Sequence, residues 1–419
     1  TREEFIDGVL FVNYKKLVPP DSFIGQYMEY MSYVETAESY DFWCALWAIG
    51  VGCGREVFVD RPNSPVHLNW YIILAAESGT TRKSTAISAI RDIVAGDNKL
   101  ITGKTSPESL ELYLHEETIK TGNATANFAV SELVSILGKE GYMATMPGLL
   151  TDLYDSPNIR KSGGTIKTGE IIQNNVYVTF ISASTPAWLV TAINPSVIEG
   201  GFTSRVIFVV DDHRKRAIAW PEERGEGERE NILRRYESTV EGGRRLHAGL
   251  SISSGGLSAY RRWYNNRTSH SDPFLSSFEA REDDHILRVG GCLAINDGTL
   301  ELQTNHIRKA IKVINEAKDR ANHLFGGDFS QRARVVEGIA RIREILIEAG
   351  NNGIKHSDLQ RRIVRKLDAK EVRMLTDIMH ECNMIQIFDM KRGGRFYRAT
   401  RGIEKFGVTS EVLAKLNLD

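Results

Sequence analysis

The chain has 419 residues, and a single hydrophobic core seldom grows past roughly 250 to 300 residues, so the length predicts two or three domains and excludes one small module. Hydrophobic residues make up 42% and charged residues 26%, as in ordinary globular proteins, and no apolar run approaches the roughly 18 residues of a membrane helix. The formal net charge of -1 excludes a globally basic protein, so any nucleic-acid surface must be a local cluster.

The four cysteines indicate a reducing compartment. They form no Cys-x-x-Cys pair and have no His partner at metal-ligand spacing, which argues against zinc and against a disulfide framework. We therefore expect reduced thiols and a cytoplasmic protein. The chain starts at Thr1 without a signal-peptide pattern, which is consistent with a segment excised from a longer protein.

The first part of the chain predicts helices followed by strands. Apolar residues recur every three or four positions over residues 21–50, which predicts two helices in an N-terminal helical collar, residues 1–67. REVFVD and LNWYIILAA predict strands, and the second is apolar enough to be buried on both faces, as in a parallel sheet. A helix is expected over residues 84–95.

Strands and helices continue to alternate. A helix is predicted after the capping residue Ser106, and ANFAV, NVYVTFISAST and SRVIFVVDD predict three further buried strands. This order favours a doubly wound α/β domain over residues 68–215. Such sheets bind ligands at the carboxyl ends of their strands.

AESGTTRKST, residues 76–85, follows the LNWYIILAA strand and resembles a phosphate-binding loop. That loop is written G-x-x-x-x-G-K-(S/T), in which the Lys reaches the outer phosphates and the hydroxyl reaches Mg²⁺. Lys83 and Ser84 fit, whereas Glu77 and Arg82 replace the glycines; we expect Arg82 to need only an ordinary backbone conformation. The alternative is a charged helix start. The predicted nucleotide contacts are Ser78, Gly79, Thr80, Thr81, Arg82, Lys83, Ser84 and Thr85.

A carboxylate follows a buried strand about fifty residues later. Ser131-Glu132 stands where an Asp-Glu pair is usual, on what we expect to be the strand adjacent to the loop strand, so Glu132 is predicted to be the catalytic base. Mg²⁺ would be held by Ser84 and Glu132, with Ser131 acting through water. The alternative is an acid that caps a helix.

Two regions predict contact with DNA. Arg160, Lys161 and Lys167 belong to a glycine-turned segment that predicts a hairpin with a cationic tip, or else a solvated loop. Residues 330–401 contain 16 Lys or Arg against 9 Asp or Glu and predict three helices and two strands, a winged helix. Winged helices also bind proteins. The predicted DNA contacts in this region are Arg362, Lys366, Arg373, Arg392 and Arg395.

The remaining boundaries follow from composition. A polar stretch followed by several helical patterns indicates a helical lid and linker over residues 216–328. Gly326-Gly327 is predicted to be a hinge. The winged helix is expected over residues 329–402 and a C-terminal tail over residues 403–419.

Four stretches together resemble the AAA+ P-loop ATPases of phages and mobile elements, which are often primase-helicase fusions. They are ESGTTRKST, VSELVSILGKEGYMATMPGLLTDLYDSP, IRKSGGTIKTGEIIQNNVYVTFISASTPAWL and EGGFTSRVIFV. The resemblance covers residues 20–330. It implies DNA replication in a host cytoplasm and a hairpin that grips one strand in a central channel.

The same stretches are similar to MCM-type helicases. That likeness implies that Arg205 is a catalytic arginine finger, that Arg281 is a sensor-2 arginine contacting nucleotide, and that Thr185 takes the catalytic sensor-1 position. An arginine finger acts on a neighbour's nucleotide, which implies a ring. The alternative for Arg205 is a surface ion pair beside Asp211 and Asp212.

The predicted function is an ATP-hydrolysing, ring-forming DNA helicase or translocase, with a hexamer expected. ATP and Mg²⁺ are the expected cofactors, and single-stranded or forked DNA and a primase-polymerase domain or protein are the expected partners. One alternative is a nucleotide-switched replication initiator or loader with little turnover. Another is a defence or regulatory ATPase that acts on protein.

Overall fold

The structure is a computed structural model. It describes residues 5–6, 9–10, 12–96, 98–137, 145–163, 170–193, 197, 201–220, 225, 227–245, 249–268, 270, 272–325, 328–363, 369–389 and 394–400. The chain divides into two compact units: the first comprises Thr1–Ala192 and Ser196–Gly326, and the second comprises Ile193–Pro195 and Gly327–Asp419.

The first unit contains most of the regular structure. Its helices are α1 (Phe23–Tyr30), α2 (Glu38–Cys53), α3 (Lys83–Val94), α4 (Pro107–Thr121), α5 (Val134–Leu137), α6 (Met146–Tyr154), α7 (Pro186–Ala192), α8 (Glu228–Arg244), α9 (Ser254–Asn266), α10 (Pro273–Glu279), α11 (Glu282–Asn296) and α12 (Thr304–Phe325). Its strands are β1 (Phe5–Ile6), β2 (Val9–Leu10), β3 (Phe58–Val59), β4 (Val66–His67), β5 (Tyr71–Ala75), β6 (Leu100–Ile101), β7 (Thr125–Val130), β8 (Ile159–Ser162), β9 (Ile171–Asn174), β10 (Tyr177–Ser184), β11 (Val206–Val210), β12 (Ser251–Ile252) and β13 (Glu301–Leu302).

Five parallel strands form the central sheet, in the order β11-β5-β10-β7-β6. Tyr71, which begins β5, lies beside Phe180 of β10 and Val206 of β11. The sequence predicted four of these strands but not the two-residue strand β6. The expected REVFVD strand is only β3, which pairs with β4 outside this sheet.

Helices cover both faces of the sheet, as the continuous apolar strands predicted. Alternate residues of β5, Ile72 and Leu74, belong to the core cluster that includes α2 and α3. On the other face, Tyr71 packs edge-on against Tyr154 of α6. Phe208 of β11 likewise packs against Phe325 of α12. The fold of this unit is therefore mixed α/β with a buried parallel sheet.

The second unit is small and has its own core. It contains α13 (Asp328–Ala349), β14 (Ile354–Lys355), α14 (His356–Ile363), α15 (Ala369–Glu381), β15 (Ile385–Asp389) and β16 (Arg395–Ala399). The three strands form an antiparallel sheet in the order β14-β16-β15. The predicted hinge at Gly326-Gly327 and residues 403–419 lie outside the described residues. Within the part of the chain that is described, no helix is long and apolar enough to cross a membrane.

Gly50 allows α2 to approach the strand region closely. A Cβ at this position would lie 2.3 Å from the carbonyl oxygen of Leu68, a backbone atom that cannot turn away. We therefore expect Gly50→Ala to lower the free energy of unfolding by about 1 to 3 kcal/mol. Urea unfolding followed by tryptophan fluorescence measures it, because all six tryptophans lie in the first unit.

The matched control is Gly242→Ala on α8, where an added Cβ meets no atom within 4 Å. It should leave the unfolding free energy unchanged or raise it by up to about 1 kcal/mol, since alanine favours helix. Equal stabilities of the two variants would contradict the close packing at Gly50.

Candidate functional site

A cavity of about 390 Å³ lies at the carboxyl ends of β5, β7 and β10. The strands end there because parallel pairing brings their carboxyl ends to one edge of the sheet. The cavity collects most of the residues that the sequence singled out for nucleotide binding. It is lined by Ser78, Gly79, Arg82, Lys83, Ser84, Thr85, Ser131, Glu132, Leu133, Val134, Ala183, Ser184, Thr185 and Trp188.

The loop before α3 has two left-handed residues, Gly79 with φ 78° and Arg82 with φ 50°. The expectation of an ordinary conformation at Arg82 was wrong: the residue before Lys83 must be left-handed for the turn to lead into α3. Glycine adopts this conformation without cost, and other residues pay about 1 to 2 kcal/mol. The Arg82 guanidinium pairs with Glu35, 3.1 Å away.

Lys83 is the first residue of α3, and its side chain turns back into the loop. Its Nζ donates hydrogen bonds to the carbonyl oxygens of Ala76 (2.7 Å) and Glu77 (3.0 Å). Partial burial lowers its pKa, although Glu77 and Asp212 act in the opposite direction. The ammonium therefore lies beside the N-terminus of α3, where backbone N–H groups also favour an anion.

The base of the loop is supported by α2. The Tyr40 hydroxyl lies within hydrogen-bond distance of the carbonyl oxygens of Ala75 (2.9 Å) and Asp211 (2.8 Å). Thr81 donates to the same hydroxyl at 3.3 Å and is fully buried. Its side chain therefore holds the loop in place, and the prediction that it contacts nucleotide does not fit its burial. Thr80 donates to the Glu77 carbonyl oxygen and does not line the cavity.

Glu132 and Thr185 face this cavity from two neighbouring strands. The expectation that the Glu132 strand is adjacent to the loop strand was wrong, because β10 lies between β5 and β7. Thr185 follows β10 and therefore stands between Lys83 and Glu132 along the sheet edge; its hydroxyl accepts a bond from the Trp188 amide at 3.4 Å. The Glu132 side chain is exposed to the cavity, with no ion pair to any residue that the structure describes.

Trp188 was missed by the sequence analysis. It lies in the first turn of α7 and lines the cavity three residues after Thr185. The sequence signal that could have identified it is an aromatic residue only a few positions after a strand that ends in polar residues. Its ring adds aromatic surface to a cavity that is lined by both polar and apolar residues.

Arg205 lies far from this cavity. It immediately precedes β11, whose first residue pairs with Tyr71 at the start of β5, whereas the phosphate loop follows the end of β5. Five strand residues span about 16 Å. Arg205 and Lys83 therefore occupy opposite edges of the sheet within one chain.

Asp155 is the partner that the sequence analysis missed. It accepts a hydrogen bond from Arg205 at 2.8 Å and from Arg281 at 3.1 Å, both through Oδ2. The alternative interpretation of Arg205 named the wrong carboxylates, Asp211 and Asp212, which follow β11 at the other edge. Arg281 does not line the cavity that contains Lys83 in its own chain.

A second pocket of about 260 Å³ adjoins this pair of arginines and includes Asp155, Arg281, Asp284 and Arg288. Burial raises the pKa of Asp284, but Arg288 and the other arginines around it more than offset this and hold the pKa below its usual value. Positive charge therefore concentrates at the amino-terminal edge of the sheet.

His285 forms a hydrogen bond with the backbone of Ser204, the residue before Arg205. Its Nε2 lies 2.9 Å from the carbonyl oxygen of Ser204, which can only accept, so Nε2 carries the proton. Burial, reinforced by Arg288, lowers the pKa of His285 to about 3. The imidazole is therefore neutral at pH 7.

The predicted DNA-binding hairpin is formed by β8 and β9. Arg160 is not at its tip, as the sequence analysis had placed it: it lies within β8 and pairs with Glu111 at 2.7 Å. Lys161 pairs with Glu170 at 3.2 Å. Lys167 lies outside the described residues.

The predicted DNA contacts of the second unit differ in their pairing. Arg362 pairs with Glu348 at 3.4 Å and Arg395 with Asp377 at 2.5 Å. Arg373 is exposed on α15, and no described carboxylate forms an ion pair with it. Lys366 and Arg392 lie outside the described residues.

Comparison with known proteins finds similarity only at the level of solved structures, and it is distant. No protein-family model matches the chain, and no curated protein matches it. The crystal structure of a full-length MCM homolog from Methanopyrus kandleri is similar, with a TM-score of 0.41 and 13% sequence identity. The match covers 75% of this chain and 64% of that chain. A similarity of this degree assigns neither a family nor an activity.

The left-handed conformation of Arg82 can be tested by substitution. Arg82→Gly removes the backbone strain and also the exposed Glu35 pair, which is worth at most about 1 kcal/mol. We expect its unfolding free energy to stay within about 1 kcal/mol of wild type. Arg82→Val should be less stable than Arg82→Gly by about 1 to 2 kcal/mol, because a β-branched residue is strained there. Equal stability of the glycine and valine variants in urea would contradict the geometry of the loop.

The neutral state of His285 gives a pH dependence. The unfolded chain binds a proton at this side chain below about pH 6.5, whereas the folded chain excludes it until about pH 3, so the stability it contributes is lost as the pH falls. In His285→Gln this contribution is absent. The difference in unfolding free energy between wild type and variant should therefore shrink by about 2 kcal/mol from pH 7 to pH 5.

Urea unfolding at the two pH values measures this difference. His213→Gln is the control, because the His213 side chain is 83% exposed. A difference for His285→Gln that stays constant with pH would show that the imidazole titrates normally.

Proposed function

We propose that this chain hydrolyses ATP in a ring-shaped homo-oligomer, a hexamer, and that hydrolysis drives it along single-stranded or forked DNA in phage or mobile-element replication. The observation that carries the proposal is the separation of two sets of residues. Lys83, Ser84 and Glu132 share one cavity, whereas Arg205 and Arg281 converge about 16 Å away at the opposite edge of the sheet. An arginine that acts on a phosphoryl group at such a cavity must come from another copy of the chain.

The cavity supplies the groups that phosphoryl transfer needs from the protein. Lys83 and the N-terminus of α3 would bind the phosphates, and Lys83 would exchange the Ala76 and Glu77 carbonyl oxygens for phosphate oxygens. Thr185 would contact the phosphate or the attacking water. Glu132 would accept the proton of that water. Its exposure, and the lack of an ion-pair partner among the described residues, leave the carboxylate available for this role.

Mg²⁺ fits the donor set of the cavity. Among the described residues no group of three or more His, Cys, Asp or Glu side chains could hold a metal ion alone. Mg²⁺ is commonly held by one or two carboxylates together with substrate phosphates. Ser84 and Glu132 would hold it, with Ser131 acting through water, and the ion would neutralise phosphate charge.

Arg205 and Arg281 are proposed to contact the nucleotide of the adjacent copy. Both guanidinium groups now bind the Asp155 carboxylate. Transfer to a phosphate would replace one anionic partner with another, so the charge of the arginines remains compensated. The amino-terminal edge of one chain would then complete the carboxyl-terminal edge of the next.

DNA contact is proposed for the β8–β9 hairpin and for the second unit. The order α13-β14-α14-α15-β15-β16 supports a winged helix with a basic composition. Exposed Arg373 is the strongest of the described candidates, because no described carboxylate forms an ion pair with it. The other described candidates would first have to leave the carboxylates that they now contact; these are Arg362, Arg395, Arg160 and Lys161.

A nucleotide-switched initiator with little turnover is the second candidate. It is favoured by the strained Arg82, by the hydrogen bonds that hold Lys83 inside the loop, and by Ser131 at a position usually occupied by Asp. ATP binding without hydrolysis, in the presence of single-stranded DNA, would support this candidate over the first.

Mixing two inactive variants tests the shared site. Lys83→Ala should lose ATP hydrolysis, and Arg205→Ala should lose about 10³- to 10⁵-fold in rate while still binding nucleotide. Combined after subunit exchange, they should recover part of the activity. The intact loop of the Arg205 variant can then meet the intact Arg205 of the Lys83 variant.

Lys120→Ala is the control for loss of an exposed lysine on a helix. It should hydrolyse ATP at the wild-type rate and give no gain on mixing. Co-purification of differently tagged chains verifies the exchange. Hydrolysis by Arg205→Ala alone, or no recovery in verified mixed assemblies, would refute the shared site.

A further inference from the structure

A groove between α9 and α12 combines aromatic surface with positive charge. Its volume is about 480 Å³, and its lining residues include Arg262, Trp263, Arg267, Arg308 and Ile311. None of them lines the nucleotide cavity, and none belongs to the hairpin or the second unit. We call this feature the α9–α12 groove.

The floor of the groove is firmly held. Ala259, Trp263 and Ile311 are partly buried and pack against the main core of the first unit. One turn of helix brings Ser258, Arg262 and Asn266 to the same side of α9, so the polar groups stand along the edge of this apolar floor. The groove is therefore a fixed surface of the folded unit.

Of the aromatic residues in this part of α9, Trp263 lines the groove, whereas Tyr264 lies beside it and does not line it. Tyr264 is 42% exposed. The Arg267 guanidinium lies 3.7 Å from the centroid of its ring and 5.8 Å from that of Trp263. A guanidinium at this distance from an aromatic ring makes a cation–π contact and leaves its N–H groups free to bind an anion.

No carboxylate among the described residues pairs with the arginines of the groove. No Asp or Glu occurs in residues 251–268 or 303–315, which include α9 and the first half of α12. Arg262 and Arg308 are exposed, and neither they nor Arg267 form an ion pair with any carboxylate in the described parts of the chain. The groove is thus a set of unpaired arginines over an aromatic surface.

We propose that the α9–α12 groove binds single-stranded nucleic acid. Arg262 and Arg308 would contact backbone phosphates, and bases would stack on the guanidinium plane of Arg267, which the Tyr264 ring supports, and on the edge of Trp263. Stacking uses the face that every base has, so binding would be tolerant of sequence. An acidic peptide would match the charge but would gain little from the aromatic rings. The proposal is independent of ATP hydrolysis.

Fluorescence anisotropy with a labelled oligothymidylate, in a series of salt concentrations, tests the groove. Arg262→Ala/Arg308→Ala should weaken binding at least tenfold. It should also reduce the slope of log affinity against log salt by about 1.4, since each lost phosphate contact on a single strand contributes about 0.7. Tyr264→Ala should weaken binding by about 5- to 100-fold with the slope unchanged. Circular dichroism verifies that each variant is folded.

Arg234→Ala/Arg245→Ala on and beside α8 is the matched control. It removes two exposed arginines of the same unit outside the groove and should change neither affinity nor slope. Unchanged oligonucleotide binding in the groove variants would overturn the proposal. So would thymidine monophosphate that displaces the probe as well as the oligonucleotide does, or polyglutamate that competes equally while Tyr264→Ala has no effect.

The result is distinguishable from failure of the proposed enzymatic function. A wild-type chain that binds the oligonucleotide through the groove but hydrolyses no ATP would support the groove and refute the ATPase. A chain that hydrolyses ATP through Lys83 but binds the oligonucleotide equally well with and without the groove arginines would do the reverse.

Discussion

The parallel pairing of β5 with β10 and β11 is the constraint on which the rest of the structure depends. Because all five strands run in one direction, each segment that follows a strand reaches one edge of the sheet, and each segment that precedes a strand reaches the other. The phosphate loop, Glu132 and Thr185 meet at the carboxyl edge for this reason. Arg205 precedes β11 and is therefore held at the amino edge. The separation of these two sets of residues is a consequence of strand direction and not of any single contact.

The loop keeps its conformation although it lacks the usual glycines. A left-handed arginine persists only where the surroundings determine the backbone more strongly than the strain opposes it. Tyr40 and buried Thr81 hold the loop from below. Asp211, whose backbone carbonyl lies near Tyr40, also accepts a bond from Ser39. Packing of α2 against the sheet thus helps to hold a backbone conformation that glycine would adopt without strain.

At the amino edge the described arginines outnumber the carboxylates that pair with them. Asp155, Asp283 and Asp284 are the carboxylates beside Arg61, Arg205, Arg281 and Arg288. The buried Nε of Arg205 and Nη1 of Arg288 have no hydrogen-bond partner among the described residues. Taking charges out of water is costly unless their hydrogen bonds are satisfied. Because His285 is neutral, it adds no further positive charge. A further anion at this edge would bring the total charge closer to zero.

By itself the sequence determined the local elements and the order in which they occur. Continuous apolar runs identified the four long strands of the sheet, because burial on both faces leaves no polar alternation. Lys83, Ser84 and Glu132 were singled out because each follows such a strand, and Thr185 was singled out by the resemblance to MCM-type helicases. The basic composition of the C-terminal region was also visible, since charge can be counted along a chain.

Only the tertiary structure decided which of these elements are neighbours. Strand order placed β10 between the loop strand and the Glu132 strand, and no periodicity in one strand encodes its partners. The backbone angle at Arg82 was set by the turn into α3, against the preference of the residue. Asp155 meets Arg205 and Arg281, which are 50 and 126 residues away in sequence. The α9–α12 groove lies between two helices that are separate in the chain. Each of these features depends on contacts between distant residues, which composition cannot show.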